Sequence, residues 1–125
     1  MKVPEDLRYT DHDEWIRIEG GEIVVGITDY AQDALGELVH VELPDVGTHV
    51  AAGEVVCEVE SVKAVAEVFA PASGTVTAVN EALEDDAEVI NNEPYASWIY
   101  KLSLDGEAPS SWMDAAAYRQ HRPPQ

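Results

Sequence analysis

At 125 residues the chain is sized for one domain with a modest core of its own. An apolar content of 46% is ordinary, but a formal charge of −18 is not, and it excludes unaided binding to nucleic-acid backbones or anionic membrane surfaces, which repel such a chain. No apolar run is long enough for a membrane-spanning helix, and the single cysteine, Cys57, permits no internal disulfide.

The first residues, Met1-Lys2-Val3-Pro4-Glu5-Asp6, have neither the apolar stretch of a signal peptide nor the basic character of a transit peptide, so a cytoplasmic protein is expected. The acidic, lysine-poor composition also suits a high-salt cytoplasm. Glu14 to Glu19 alternates apolar and polar residues, Gly20-Gly21 follows, and Glu22 to Ile27 is again apolar, which predicts a β-hairpin. Thr28 or Asp29 is placed to cap a short helix over Tyr30 to Leu35 that Gly36 ends. Val39 to Leu43 is a further strand, stopped by Pro44. From Gly47 onward the pattern predicts strands and turns, with two valine-rich runs around Lys63 and an acidic connection over residues 81–88. Ala96 to Leu104 holds the last strand, and Ser110 or Ser111 is placed to cap a terminal helix over Trp112 to His121 (residues 110–121 with its cap), followed by a frayed tail at 122–125. This predicts a mainly β domain, a sandwich or barrel with its β core in residues 7–104 and peripheral helices.

Catalytic patterns are missing from the sequence. It has no CxxC, no HExxH, no Gly-x-Ser-x-Gly and no Gly-rich phosphate loop. The histidines, His12, His40, His49 and His121, show no ligand spacing, and Asp85-Asp86 lacks the register of a calcium loop, so neither a metal nor a catalytic site is expected. Cys57 lies within a valine-rich strand and is expected to be a small buried hydrophobe.

Lys63 stands apart. It is one of three lysines, the other two being Lys2 and Lys101. The apolar run from Val55 breaks at Glu60-Ser61 and resumes after Lys63, which predicts two strands with the lysine at the tip of their turn. Gly53 lies ten residues before it and Gly74 eleven after, a near-symmetry that suggests two similar halves meeting at the lysine hairpin. A lysine at a hairpin tip commonly does no more than block edge pairing. Here the long apolar strands on both sides would hold it rigidly, as an attached prosthetic arm requires.

The segment Glu60-Ser61-Val62-Lys63-Ala64 resembles the lipoyl-attachment turn of the glycine cleavage system H-protein family. So do Val25-Gly26-Ile27-Thr28-Asp29-Tyr30 with the helix after it, Val41-Glu42-Leu43-Pro44, Ala70-Pro71-Ala72-Ser73-Gly74, Val79-Asn80-Glu81-Ala82-Leu83, and Met113-Asp114-Ala115 through Tyr118, all in order over roughly residues 7–120. The resemblance implies a barrel-sandwich hybrid of the lipoyl/biotinyl type, with two antiparallel sheets. It implies a monomeric, non-catalytic carrier with lipoate joined by an amide to Lys63, which would take the formal charge from −18 to −19. The implied partners are a lipoate-attaching enzyme, a pyridoxal-phosphate glycine decarboxylase that loads an aminomethyl group, a tetrahydrofolate-dependent aminomethyltransferase that removes it, and dihydrolipoamide dehydrogenase, which reoxidises the arm. In the family a glutamate follows a histidine in a His-Glu-Trp motif. Glu14 matches that glutamate and is the candidate for contacting the aminomethyl amine in a cleft, an ordinary strand carboxylate being the other reading.

Three departures from the pattern stand out. Asp13 replaces the usual histidine, Pro94-Tyr95-Ala96-Ser97-Trp98 is one residue shorter than the usual segment and lacks its glycine, and Asp86-Ala87-Glu88 stands where a proline is usual. Other readings remain open at this point. One is an H-like lipoyl carrier serving lipoate transfer or a 2-oxoacid dehydrogenase complex. Another is an unmodified interaction module. A small hydrolase is a third, although it lacks a nucleophile–base pair. Val62 and Ala64 argue against a biotin carrier, which would usually have methionines beside the lysine.

Overall fold

A computed structural model describes residues 1–122. It holds two antiparallel sheets, neither closed into a barrel. The larger is built from β1 (Arg8–Tyr9), β2 (Glu14–Glu19), β3 (Glu22–Ile27), β5 (His49–Val50), β8 (Gly74–Val79) and β9 (Tyr100–Leu104), in the order β1-β2-β3-β9-β8-β5. The smaller consists of β4 (Leu38–Glu42), β6 (Val55–Ser61) and β7 (Val65–Phe69), in the order β4-β6-β7. The expected Gly-Gly hairpin is present, with Glu19 opposite Glu22. The strands flanking the lysine hairpin, β5 and β8, pair with each other in the larger sheet.

Burial follows from this layering. Ile16, Ile23, Val25, Tyr100 and Leu102 of the larger sheet meet Val41, Cys57, Val59 and Val68 of the smaller in the main core. A second core lies on the opposite face of the larger sheet, where Val24 and Trp15 pack with Val3, Leu7, Tyr9 and Tyr118. Because β3 is covered on both faces, its sequence is continuously apolar rather than alternating. Gly26 is required at its crossing with Trp15, since a Cβ there would overlap the indole ring. The ring is fixed by its Nε1, which donates to the Pro94 carbonyl at 3.0 Å.

The first helix, α1, spans Asp29–Leu35. Thr28 is its cap, accepting from the Ala31 amide, and Gly36 ends it. The acidic connection is corrected by the structure: residues 81–92 form two single turns of helix, α2 (Ala82–Asp85) and α3 (Val89–Asn92). Each sinks one fully buried side chain, Leu83 or Ile90, into the core. Four-residue helices are too short for a helical period to show in the sequence. The last strand begins at Tyr100 rather than Ala96, because residues 93–96 turn on a bond from the Ala96 amide to the Glu93 carbonyl. The terminal helix, α4, spans Ala115–His121 and is capped by Asp114, not by Ser110 or Ser111. Its start is delayed because Met113 is held extended, exchanging both backbone hydrogen bonds with Tyr9. Of the expected frayed tail, residues 123–125 lie outside the described residues, whereas Arg122 is held by Asp13.

Candidate functional site

The turn that carries Lys63 is built from Ser61 outward. Ser61 closes β6 and is buried. Its amide donates to the Ala64 carbonyl at 2.8 Å. Its hydroxyl oxygen accepts from the Lys63 and Ala64 amides at 3.3 and 3.0 Å, and the hydroxyl donates to the Ala64 carbonyl at 3.2 Å. One serine hydroxyl thus serves the amides of Lys63 and Ala64 and the Ala64 carbonyl, as serines do when they replace backbone partners. The Val62 amide donates to the Glu37 carbonyl at 3.0 Å, which anchors the tip to the segment after α1. Val62, Lys63 and Ala64 are exposed.

The Lys63 stem lies along Gly36. A Cβ at Gly36 would stand 3.4 Å from Lys63 Cε, and Gly36 has φ +82°, a conformation other residues rarely adopt. Among the described residues, no carboxylate lies within 4.0 Å of the Lys63 amine. Glu60 is exposed on the same sheet opposite Val65, and Glu58 stands between Glu42 and Glu67. The amine is therefore displayed, without a carboxylate partner among the described residues, at a tip whose backbone is tied on both sides.

Glu14 opens β2 and is only 1% exposed. Its Oε1 accepts from the Thr10 hydroxyl at 2.8 Å and its Oε2 from the Phe69 amide at 2.7 Å. Burial pushes its carboxyl up to about 7; the Phe69 and Thr10 hydrogen bonds oppose the rise, and Asp11 and Asp13 add to it. Burial likewise pushes the Cys57 thiol up to about 12, with Glu14 contributing, so Cys57 is the buried hydrophobe its strand predicts. Phe69 ends β7, so Glu14 meets the hairpin at the opposite end of β7 from Lys63. The five residues of that strand span roughly 15 Å. Glu60, Ser61, Val62, Lys63 and Ala64 are gathered in one turn, and Glu14 is not part of it.

The departures from the family pattern have visible accommodations. Asp13 has φ +65°, and its carboxylate accepts from Arg122 Nε and Nη2 at 3.0 and 3.1 Å and from the Tyr118 hydroxyl at 2.8 Å. Its carbonyl accepts from the Thr28 amide at 3.0 Å. The shortened segment keeps its grip on Trp15 through the Pro94 carbonyl, while the Tyr95 hydroxyl accepts from the Asp29 amide at 3.1 Å. An open groove of about 330 Å³, lined by Glu37, Glu88, Asn91 and Asn92, lies beside the segment that supports the turn. Sequence reasoning missed Asn91, which sits in a helix too short to announce itself. It also saw Gly36 only as a helix end, although its neighbour in space is Lys63. Among the described residues, no cluster of metal-ligating side chains occurs, and no helix is long and apolar enough to cross a membrane.

Fold and turn together define a class, a small two-sheet β protein that displays one lysine on a tied hairpin. The family model for the glycine cleavage H-protein matches residues 7–123, and the chain belongs to that family. It is 54% identical over 124 residues to a probable glycine cleavage system H protein of Thermococcus gammatolerans, covering 96% of this chain and 92% of the relative. It is 55% identical over 109 residues to the glycine cleavage system H protein of Acinetobacter baylyi, covering 86% and 88%. The crystal structure of a glycine cleavage system H protein from Mycobacterium marinum superposes with a TM-score of 0.87 at 43% identity, covering 94% of this chain and 97% of that one. The family is one of carriers, and a lipoyl-carrier role follows from membership.

Proposed function

We propose that this chain carries lipoate on Lys63 and serves glycine cleavage as the shuttle between its enzymes. The observation that carries the reading is the exposed Lys63 amine, free of any carboxylate among the described residues, on a turn closed by Ser61 and anchored through Glu37. Such a site suits acylation: the Lys63 nitrogen forms an amide with the lipoyl carboxyl carbon, releasing a proton and the activating group. When attached, the lipoyl group supplies the sulfurs that bear the aminomethyl group from glycine decarboxylase to aminomethyltransferase and that dihydrolipoamide dehydrogenase returns to the disulfide. The protein holds the arm at a fixed root, so its free end has a high effective concentration at each partner's site.

Glu14 is the candidate for the amine of the loaded arm. A buried carboxyl raised to about 7 can accept a hydrogen bond from an ammonium group, and that cation would favour its ionised form. Such a contact requires Glu14 to release one of its present partners, Thr10 or Phe69.

Intact mass decides the main reading. Incubation with a lipoate-attaching enzyme, lipoate and ATP should add one lipoyl group, and Lys63→Arg should abolish the gain. A wild-type chain that stays unmodified beside an active enzyme contradicts the reading. For Glu14, the Glu14→Ala variant should load normally but lose the aminomethyl group faster, and an unchanged lifetime removes Glu14 from the account.

A further inference from the structure

We propose that Asn91 is a positioning residue for modification of Lys63, its side-chain amide fixing the 36–38 segment on which the lysine turn is seated. The inference rests on Lys63 being the lipoylated residue. Asn91 lies in α3, about thirty residues along the chain from the lysine and outside every motif the sequence offers. Its Oδ1 accepts from the Leu38 amide at 2.9 Å, and its Nδ2 donates to the Gly36 carbonyl and to Gln32 Oε1, each at 2.9 Å. Two backbone partners of opposite kind fix which way the amide points. Gln32 is itself held, donating from Nε2 to Asp29 Oδ1 at 2.8 Å.

The residue between the two backbone contacts is Glu37. Its side chain is exposed, and its carbonyl receives the Val62 amide. That carbonyl shares one planar peptide group with the Leu38 amide, and the preceding peptide group ends in the Gly36 carbonyl; Asn91 holds both the Leu38 amide and the Gly36 carbonyl, and so aims the Glu37 carbonyl. The need for such a tie is physical. Gly36 follows the last turn of α1 in a positive-φ conformation, and glycine is the residue least able to fix its own backbone. Without the tie, the lysine turn would keep its internal Ser61 closure but lose its fixed seat beside Gly36. An enzyme that must receive Lys63 in one geometry would then bear the ordering cost on binding.

The test uses Asn91→Asp, which keeps the size and the acceptor for Leu38 but meets the Gly36 and Gln32 oxygens with another acceptor, and Asn91→Ala as a second variant. Asn92→Asp is the control, because Asn92 is exposed, lines the same groove and gains the same charge. Two quantities are measured on the full chain at a temperature where circular dichroism shows every variant folded. These are the steady-state kinetics of lipoylation by a lipoate-attaching enzyme, with the chain as varied substrate, and hydrogen exchange of the Val62 amide. Both Asn91 variants should raise KM about fivefold or more with kcat little changed, and should speed Val62 exchange roughly tenfold. Amides of the β2–β3 hairpin and all Asn92→Asp values should stay at wild type. Loss of Val62 protection with an unchanged KM would confine Asn91 to a structural role and overturn the proposal. So would wild-type protection in both Asn91 variants, or an Asn92→Asp effect equal to that of Asn91→Asp. If the wild-type chain gains no lipoyl mass, the Lys63 reading fails first, while Val62 exchange still reports whether Asn91 holds the turn.

Discussion

The Phe69 amide donates to the Glu14 carboxylate at 2.7 Å, joining the last strand of the lysine hairpin to the second strand of the larger sheet. Burial raises this carboxyl from an unfolded value near 4.5 to about 7, so the fold favours its protonated form. The resulting stability is fully present below pH 4.5 and is lost as pH rises through 7, up to about 3 kcal/mol for a shift of this size. Denaturant midpoints of wild type relative to Glu14→Gln should therefore fall between pH 4.5 and 7.5. Parallel pH profiles for the two proteins would contradict the burial account of Glu14.

Lys63→Arg should leave the fold alone. The side chain is exposed and makes no ion pair among the described residues, so the stability change should lie within about 0.5 kcal/mol. Glycine-dependent exchange of carbon dioxide in a reconstituted system should nevertheless disappear, because a guanidinium cannot take the lipoyl amide. Activity retained in Lys63→Arg would remove the lysine from its proposed role.

The lysine turn was legible because its signals are local. Apolar strands, a break at Glu60-Ser61 and flanking glycines all lie within some twenty residues, and a serine closing a turn acts on its near neighbours. The capped helix was legible for the same reason, since Thr28 and Gly36 act within one or two turns of chain. What stayed hidden depends on distant partners. The late start of the terminal helix is set by Tyr9, more than a hundred residues away, and the two single-turn helices exist because Leu83 and Ile90 find room in a core built by other strands. The seat of Lys63 on Gly36, and the grip of Asn91 on both sides of Glu37, join three separated segments that no spacing connects.

Asp13 and Arg122 form a second long-range tie, a bidentate pair between the loop before β2 and the end of α4. Both are partly shielded, with side chains 15% and 31% exposed, and Tyr118 donates to the same carboxylate. Arg122→Ala should cost about 1 kcal/mol, toward the upper end for a pair near the surface. Asp13→Asn, which keeps a residue tolerant of positive φ, should cost a similar amount. The double variant should cost clearly less than the sum, because each single change removes the same contact. Strict additivity in chemical denaturation would show that the pair contributes nothing of its own.

The charge of −18 makes a last prediction, and the hairpin sheet makes it local. Glu42, Glu58 and Glu67 stand in register across its three strands, with like charges side by side. Stability should rise with sodium chloride, because screening shortens from about 10 Å at 0.1 M to about 3 Å at 1 M. Glu58→Gln relieves the central carboxylate of the row and should gain about 0.5 kcal/mol at low salt. That gain should vanish at 1 M, where the repulsion it removes is already screened. A gain that persists unchanged at high salt would trace to packing or strand preference instead, and a wild-type midpoint that stays flat with salt would show that the acidic surface imposes no repulsive cost on the fold.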